Sequence, residues 1–222
     1  MSNLPLYLCH RATEKIVVDG RLDESPWDRA ETFTLRMTDT GAEPRLRTDV
    51  RALWDDTYFY VAFHCLDNDI WANMTEHDAP LWEEEVVEVF LDPAKLGRAY
   101  FELVVNPLNV LTDVFVVNLG NRERVFQPLR AWECQGILHA VDVDGDPSNP
   151  DSADTSWTVE MAIPFEQLVT APNIPPKVGD SWRGNFYRIE QNAEGDEYTA
   201  WSPTGAINYH VSDAFGTIVF AE

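Results

Sequence analysis

Short runs of alternating apolar and polar residues recur along almost the whole chain, whereas a helical period is never sustained for more than about two or three turns. A chain punctuated in this way builds sheets. In residues 48–54, TDVRALW, Val50, Ala52 and Trp54 share one face. Asp55 and Asp56 supply a turn, and residues 58–65, YFYVAFHC, return as the second arm of a hairpin. The same period gives strands at 15–19, 33–37, 86–91, 99–106, 110–117, 137–143, 157–163, 182–190, 197–201 and 215–220. Residues 22–30 read as a helical turn, with Ser25 as N-cap, Pro26 at the first helical position and Trp27 and Ala30 on its inner side. A single further turn is expected at 165–169. Residues 144–155 are loop by composition, Pro172, Pro175 and Pro176 mark another loop, and residues 1–14 read as an irregular lead-in. Residues 119–136 carry no pattern that assigns them. The long amphipathic helices of a doubly wound α/β fold are absent. The expectation is an all-β chain, with residues 1–222 forming one domain as a two-sheet antiparallel β-sandwich or jelly roll.

Hydrophobic residues make up 45% of the sequence and aromatic residues 12%, enough for a sizeable core. The formal net charge of −22 argues against nucleic acid and anionic membrane surfaces as partners. It suits solubility, a cationic partner or bound divalent cations. Cys9, Cys65 and Cys134 are too few and too odd in number for a disulfide framework, and read as three buried thiols. No stretch is long and apolar enough to span a membrane. The start, MSNLPLYLCHRATEK, lacks the basic head and apolar core of a signal peptide. The expectation is a cytoplasmic protein if Met1 is the native start, and an exported one if a leader was removed.

The chemistry concentrates in residues 79–93, APLWEEEVVEVFLDP. Trp82 precedes three glutamates, and a strand follows in which Val87, Val89 and Leu91 face one way and Val86, Glu88 and Phe90 the other. A carboxylate in mid-strand has a partner or faces a wet groove. An aromatic ring at the mouth of a groove with a carboxylate inside suits a sugar: the ring covers the apolar C–H face and the carboxylate accepts hydroxyl protons. The plain structural alternative is a half-buried edge strand with a capping Trp. Glu102 lies on the corresponding face of the next strand. A Glu88/Glu102 pair has the residue types of a glycosidase, but nothing in the sequence supplies a raised pKa or a substrate path, and the pair has the alternative of bonding to Arg188. Walker, GxSxG, HExxH, CxxC and GxGxxG patterns are missing, and the five histidines do not cluster, so only residues distant in sequence could assemble a zinc site. Of the eight tryptophans, Trp27, Trp54 and Trp157 fit core positions. Trp71 and Trp82 lie in or beside a polar loop, and Trp201 precedes a loop that carries Tyr209 and His210. Loop aromatics on a β-sandwich are a usual means of clamping a ligand.

The ordered set VDGRLDESPW, VRALWDDTYFYVAF, LWEEEVVEVFLDP, WTVEMAIPFEQL, NFYRI and AWSP followed by YHVSDAFGTIVF resembles the family 9 carbohydrate-binding modules and their single-domain relatives in the DOMON-like superfamily, over nearly the full chain. The resemblance implies a sandwich of two antiparallel sheets with a shallow, non-catalytic site in which two aromatics clamp the end of a glucan- or xylan-type polysaccharide. Trp82 matches the first aromatic. Tyr209 matches the second, with Asn208 or His210 as the alternatives one position away. Glu88 matches a hydrogen-bonding glutamate. Where one branch of the family carries arginine and asparagine, this chain has Glu102 and Val104. Tyr187 or Arg188 would match a polar side chain that reaches the ligand, and Arg188 is the candidate to restore the missing guanidinium. Some members hold structural calcium, for which the acidic residues Asp67, Asp69 and Glu83 to Glu85 offer oxygens without an EF-hand spacing. Two other readings come with the resemblance. One is a haem-binding sandwich, with Met37, Met74 or Met161 and His64, His77 or His210 as axial ligands. The other is a degenerate sandwich that serves as a protein-interaction domain.

Overall fold

The computed structural model describes residues 4–119, 126–149 and 152–222. In chain order the strands are β1 (Leu6–Arg11), β2 (Phe33–Thr34), β3 (Arg36–Met37), β4 (Thr48–Trp54), β5 (Tyr58–Leu66), β6 (Val86–Asp92), β7 (Ala99–Val105), β8 (Leu111–Asn118), β9 (Phe126–Leu129), β10 (Leu138–Asp144), β11 (Ser156–Pro164), β12 (Ser181–Glu190), β13 (Glu197–Ala200) and β14 (Gly216–Phe220). One layer runs β10-β11-β5-β4 and the other β14-β12-β6-β7-β8-β9, with β1 between them. Short β2 adds to β4, and β13 pairs with both β12 and β3. The all-β sandwich expected from the period-two pattern is the fold observed.

Alternation decides which side chains meet between the layers. Val87, Val89 and Leu91 of β6, Phe101, Leu103 and Val105 of β7, and Trp182 and Phe186 of β12 pack on Trp54, Phe59, Val61, Phe63, Trp157, Val159 and Met161 of the other sheet. The outer faces are covered as well. Residues of the lead segment and α1 (Ser25–Arg29), among them Ile16 and Trp27, lie on Leu53, Tyr60, Ala62 and Ala162. Loops carrying Leu81, Tyr209 and Phe215 lie on Val86, Phe90, Tyr100, Val104 and Tyr187. This double cover explains why β6 is buried at every position instead of being half wet.

Three local expectations need correction. The lead-in holds β1, which runs parallel to β14 through Leu6–Cys9 and parallel to β4 at His10 and Arg11, so the sandwich is not purely antiparallel. Its residues LYLCHR put Tyr7 and Cys9 inward, but Leu6 and Leu8 stay exposed, so apolar residues on both faces erased the alternation. Residues 15–19 form no strand. Their backbone serves a side chain instead: the amides of Asp19 and Gly20 donate to Glu160 Oε2 at 2.9 Å, and Trp27 Nε1 donates to Glu160 Oε1 at 2.8 Å. Burial pushes Glu160 up to about 7, against these three donors. The turn of residues 22–30 begins with Glu24 rather than Ser25 in the N-cap position, and Pro26 sits in the first turn as expected. Cys9, Cys65 and Cys134 are buried free thiols.

Candidate functional site

The outward face of β6, β7 and β8 is the floor of a pocket of about 430 Å³, within the range of small-ligand sites. Glu88 lies opposite Val104, and Glu102 opposite Phe90, so the two glutamates are diagonal neighbours on one face. Glu88 is 2% and Glu102 7% exposed, which makes them buried carboxyls at the bottom of the cleft and not groups on a wet edge. Trp82 enters from the 3-10 turn Leu81–Glu83, Ile189 and Tyr198 come from β12 and β13, and Asn208, Tyr209 and His210 complete the rim. The alignment ambiguity among positions 208, 209 and 210 therefore dissolves in space, because all three line the same pocket.

The loop that brings Tyr209 is pinned to β12. The Tyr209 ring stacks on Tyr187 with centroids 4.0 Å apart and planes 14° from parallel. The Tyr209 hydroxyl donates to Arg188 O at 2.8 Å, and the Tyr187 hydroxyl donates to Tyr209 O at 2.9 Å. Asn185 Nδ2 donates to that same Tyr187 hydroxyl at 2.8 Å. Next to it, His210 Nδ1 lies 2.7 Å from the Tyr100 hydroxyl, and burial pushes the imidazole down to about 4, so it is neutral at pH 7. A ring held by these bonds loses little further freedom when a ligand covers it.

Burial, and then its neighbour Glu102, push Glu88 well above the usual carboxylate range. Burial pushes Glu102 up to about 8, while the Arg130 guanidinium pulls the other way. Two adjacent carboxyls in one dry floor cannot both ionise cheaply. Glu102, near Arg130, gives up its proton first, at about 8, and Glu88 holds its own. A neutral carboxyl both donates and accepts a hydrogen bond, which matches the mixed demand of sugar hydroxyls.

The structure separates the expected site residues. Trp82, Glu88, Glu102, Tyr209 and His210 come together at the pocket. Tyr187 faces the same way but lies behind Tyr209 as its support. Arg188 points to the opposite side. It is opposite Val87 in the ladder, so alternation sends it between the layers, where it donates to Asp67 Oδ2 at 2.7 Å, to Leu66 O at 2.7 Å and to Glu190. The guanidinium beside the pocket belongs to Arg130. It stacks over the Trp82 ring at 5.0 Å and donates to Asp78 O at 3.1 Å. Sequence reasoning missed it because residues 119–136 offer no period. Ile189 was legible: it shares the face of Tyr187 by simple alternation. Trp71 is tied to Gln191 O, and Trp201 packs between the layers, so neither reaches the pocket.

The acidic residues considered for calcium are spread between the surface and the interior. Glu83 is exposed, and Glu84 Oε2 accepts the amides of Asn73 and Met74. Asp67 and Glu85 do converge with Glu190, but the Arg188 guanidinium bonds to both Asp67 and Glu190, where a cation would stand. Three of the residues considered for haem lie away from the pocket. Met161 is in the core between the layers, His64 is on the outer face of β5, and His77 sits among carboxylates.

Fold and pocket together define a β-sandwich ligand-binding module with an aromatic wall and a carboxyl floor. Residues 18–222 match the profile of the family described as carbohydrate family 9 binding domain-like, and the chain belongs to that family. Over 87 residues it is 30% identical to endo-1,4-beta-xylanase A of Thermotoga maritima, covering 39% of this chain and 8% of the xylanase. The chain thus spans less than a tenth of the length of that relative. Among solved structures, a candidate carbohydrate-binding protein of Bacteroides uniformis shares 17% identity and a TM-score of 0.76, with 98% of this chain and 100% of that one covered. A family 9 carbohydrate-binding module of Caldicellulosiruptor kristjanssonii in complex with cellotriose shares 18% identity and a TM-score of 0.66, covering 98% and 94%. The module from the same organism in complex with glucose gives 17% and 0.61, covering 96% and 95%. At these identities the solved structures establish the common fold.

Proposed function

We propose that the chain binds the terminal sugar of a glucan- or xylan-type oligosaccharide in this pocket, without catalysis. One observation carries the reading: Trp82 and Tyr209, the latter backed by Tyr187, border a floor of two carboxyls with raised pKa values, with Arg130 beside them. The rings cover the apolar faces of a pyranose, and the floor and the guanidinium take its hydroxyls. The bound glucose and cellotriose of the family 9 modules with this fold support the class of ligand. Both glutamates lie on adjacent strands and hold their protons at neutral pH; a raised pKa fits a general acid, but with both protonated neither serves as the nucleophile or base that glycoside hydrolysis also needs. No helix among the described residues is long and apolar enough to cross a membrane.

Isothermal titration with glucose, cellobiose and xylobiose tests the reading. Saturable heat with one site per chain is expected for at least one of them, with modest affinity from so small a contact. Absence of heat with every glucan and xylan fragment, in a folded protein, would contradict it.

A further inference from the structure

The loop before β6, the start of β8 and the segment after β9 bring His77, Asp78, Asp113 and Glu133 together at the surface. One ligand-type atom from each lies within 4.8 Å of all the others. His77 Nε2 stands 3.1 Å from Glu133 Oε2, 3.6 Å from Asp113 Oδ1 and 3.8 Å from Asp78 Oδ1. Around a zinc ion with bonds of about 2.1 Å, the edges of the ligand tetrahedron measure about 3.4 Å, so the histidine-centred distances are already close to that geometry.

A second observation points to a missing partner. The Asp113 side chain is 1% exposed. Its Oδ2 accepts the backbone amide of Cys134, but its Oδ1 is buried without any hydrogen-bond donor and faces His77. A buried carboxylate oxygen left without a donor is costly, and a cation in this position removes the cost. The fixed ligand is thus the buried one, while His77 and Glu133 are half exposed and free to close by rotamer changes.

We propose that His77, Asp78, Asp113 and Glu133 form a binding site for a divalent transition-metal ion, zinc by the chemistry of its donors. The imidazole nitrogen separates this set from the all-oxygen shells that calcium and magnesium take. Among ions that accept imidazole with carboxylates, zinc binds more tightly than manganese or ferrous iron. A neutral histidine and three carboxylates carry three negative charges, of which a divalent ion offsets two. The other buried carboxylate group, Asp67, Glu85 and Glu190, already has Arg188 as its cation. The proposal is independent of whether the neighbouring pocket binds sugar.

The test uses tag-free full-length protein, stripped with chelator and titrated with zinc by calorimetry and thermal melting. One equivalent of zinc should bind and raise the melting temperature. His77→Ala, a half-exposed position where folding is secure, should weaken binding at least tenfold, as should Asp113→Asn, and a hundredfold excess of calcium should leave the zinc in place. Absence of zinc binding, affinity unchanged in His77→Ala, or ready displacement by calcium would each overturn the proposal.

Discussion

Glu102→Gln should make the protein more stable, and increasingly so as pH rises. Glu102 releases its proton at about 8 in the folded chain, against 4.5 for an unperturbed glutamate. A carboxyl raised in this way contributes full stability below about pH 4.5. Above that value the unfolded chain ionises first, so stability is lost as pH climbs towards 8. At pH 7 the gap is about 2.5 pH units, or about 3 kcal/mol at about 1.4 kcal/mol per unit. This is a ceiling, because the folded pocket relaxes around a charge and Arg130 draws closer. Glutamine imitates the protonated acid in shape and never ionises. The variant should therefore melt within a few degrees of the wild type at pH 5, and by pH 8 melt higher by roughly 5–10 °C for a chain of this size. Thermal unfolding of both proteins from pH 5 to 8 measures the difference, in which the general self-repulsion of the acidic surface cancels. A difference that stays constant with pH would refute the assignment of Glu102 as a buried, proton-holding group.

Arg130→Ala removes the guanidinium that favours ionised Glu102, so the Glu102 proton should be held to higher pH, read by NMR titration, and sugar affinity should fall about fivefold or more. Arg188→Ala leaves the carboxylates of Asp67, Glu85 and Glu190 buried without their cation, and should cost about 3–5 kcal/mol in denaturant unfolding while the folded fraction keeps its sugar affinity. An affinity loss in folded protein would instead return Arg188 to the pocket. Gly216→Ala should destabilise by about 1–3 kcal/mol, because a Cβ there would lie 2.3 Å from the Trp201 ring, and unchanged melting would show that the ring can yield.

Period-two patterning made most strands readable, since β4, β5, β6, β7, β11 and β12 each send alternate residues between the layers. It also placed Glu88 and Glu102 on one face, and set Trp27, Trp54 and Trp157 in the core. Alternation is blind to which covered face a polar residue enters. Arg188 looked like a pocket residue because it carries charge among aromatics, yet its parity with Val87 sends it to a buried ion cluster. Arg130 and the His77 cluster were hidden for another reason. They depend on contacts between segments distant in the chain, and neither composition nor spacing encodes those. The strand β1 escaped because exposed Leu6 and Leu8 imitate an apolar tail.

Tryptophan fluorescence titrated with cello- and xylo-oligosaccharides, for wild type and Trp82→Ala side by side, tests the central claim most directly. A ring covered by a sugar should give a saturable change in the wild type. Trp82→Ala should abolish that signal and weaken binding about tenfold or more by calorimetry, while its melting temperature stays close to that of the wild type because Trp82 is only half buried. A saturable response that survives intact in Trp82→Ala would place the sugar elsewhere on the sandwich and contradict the account.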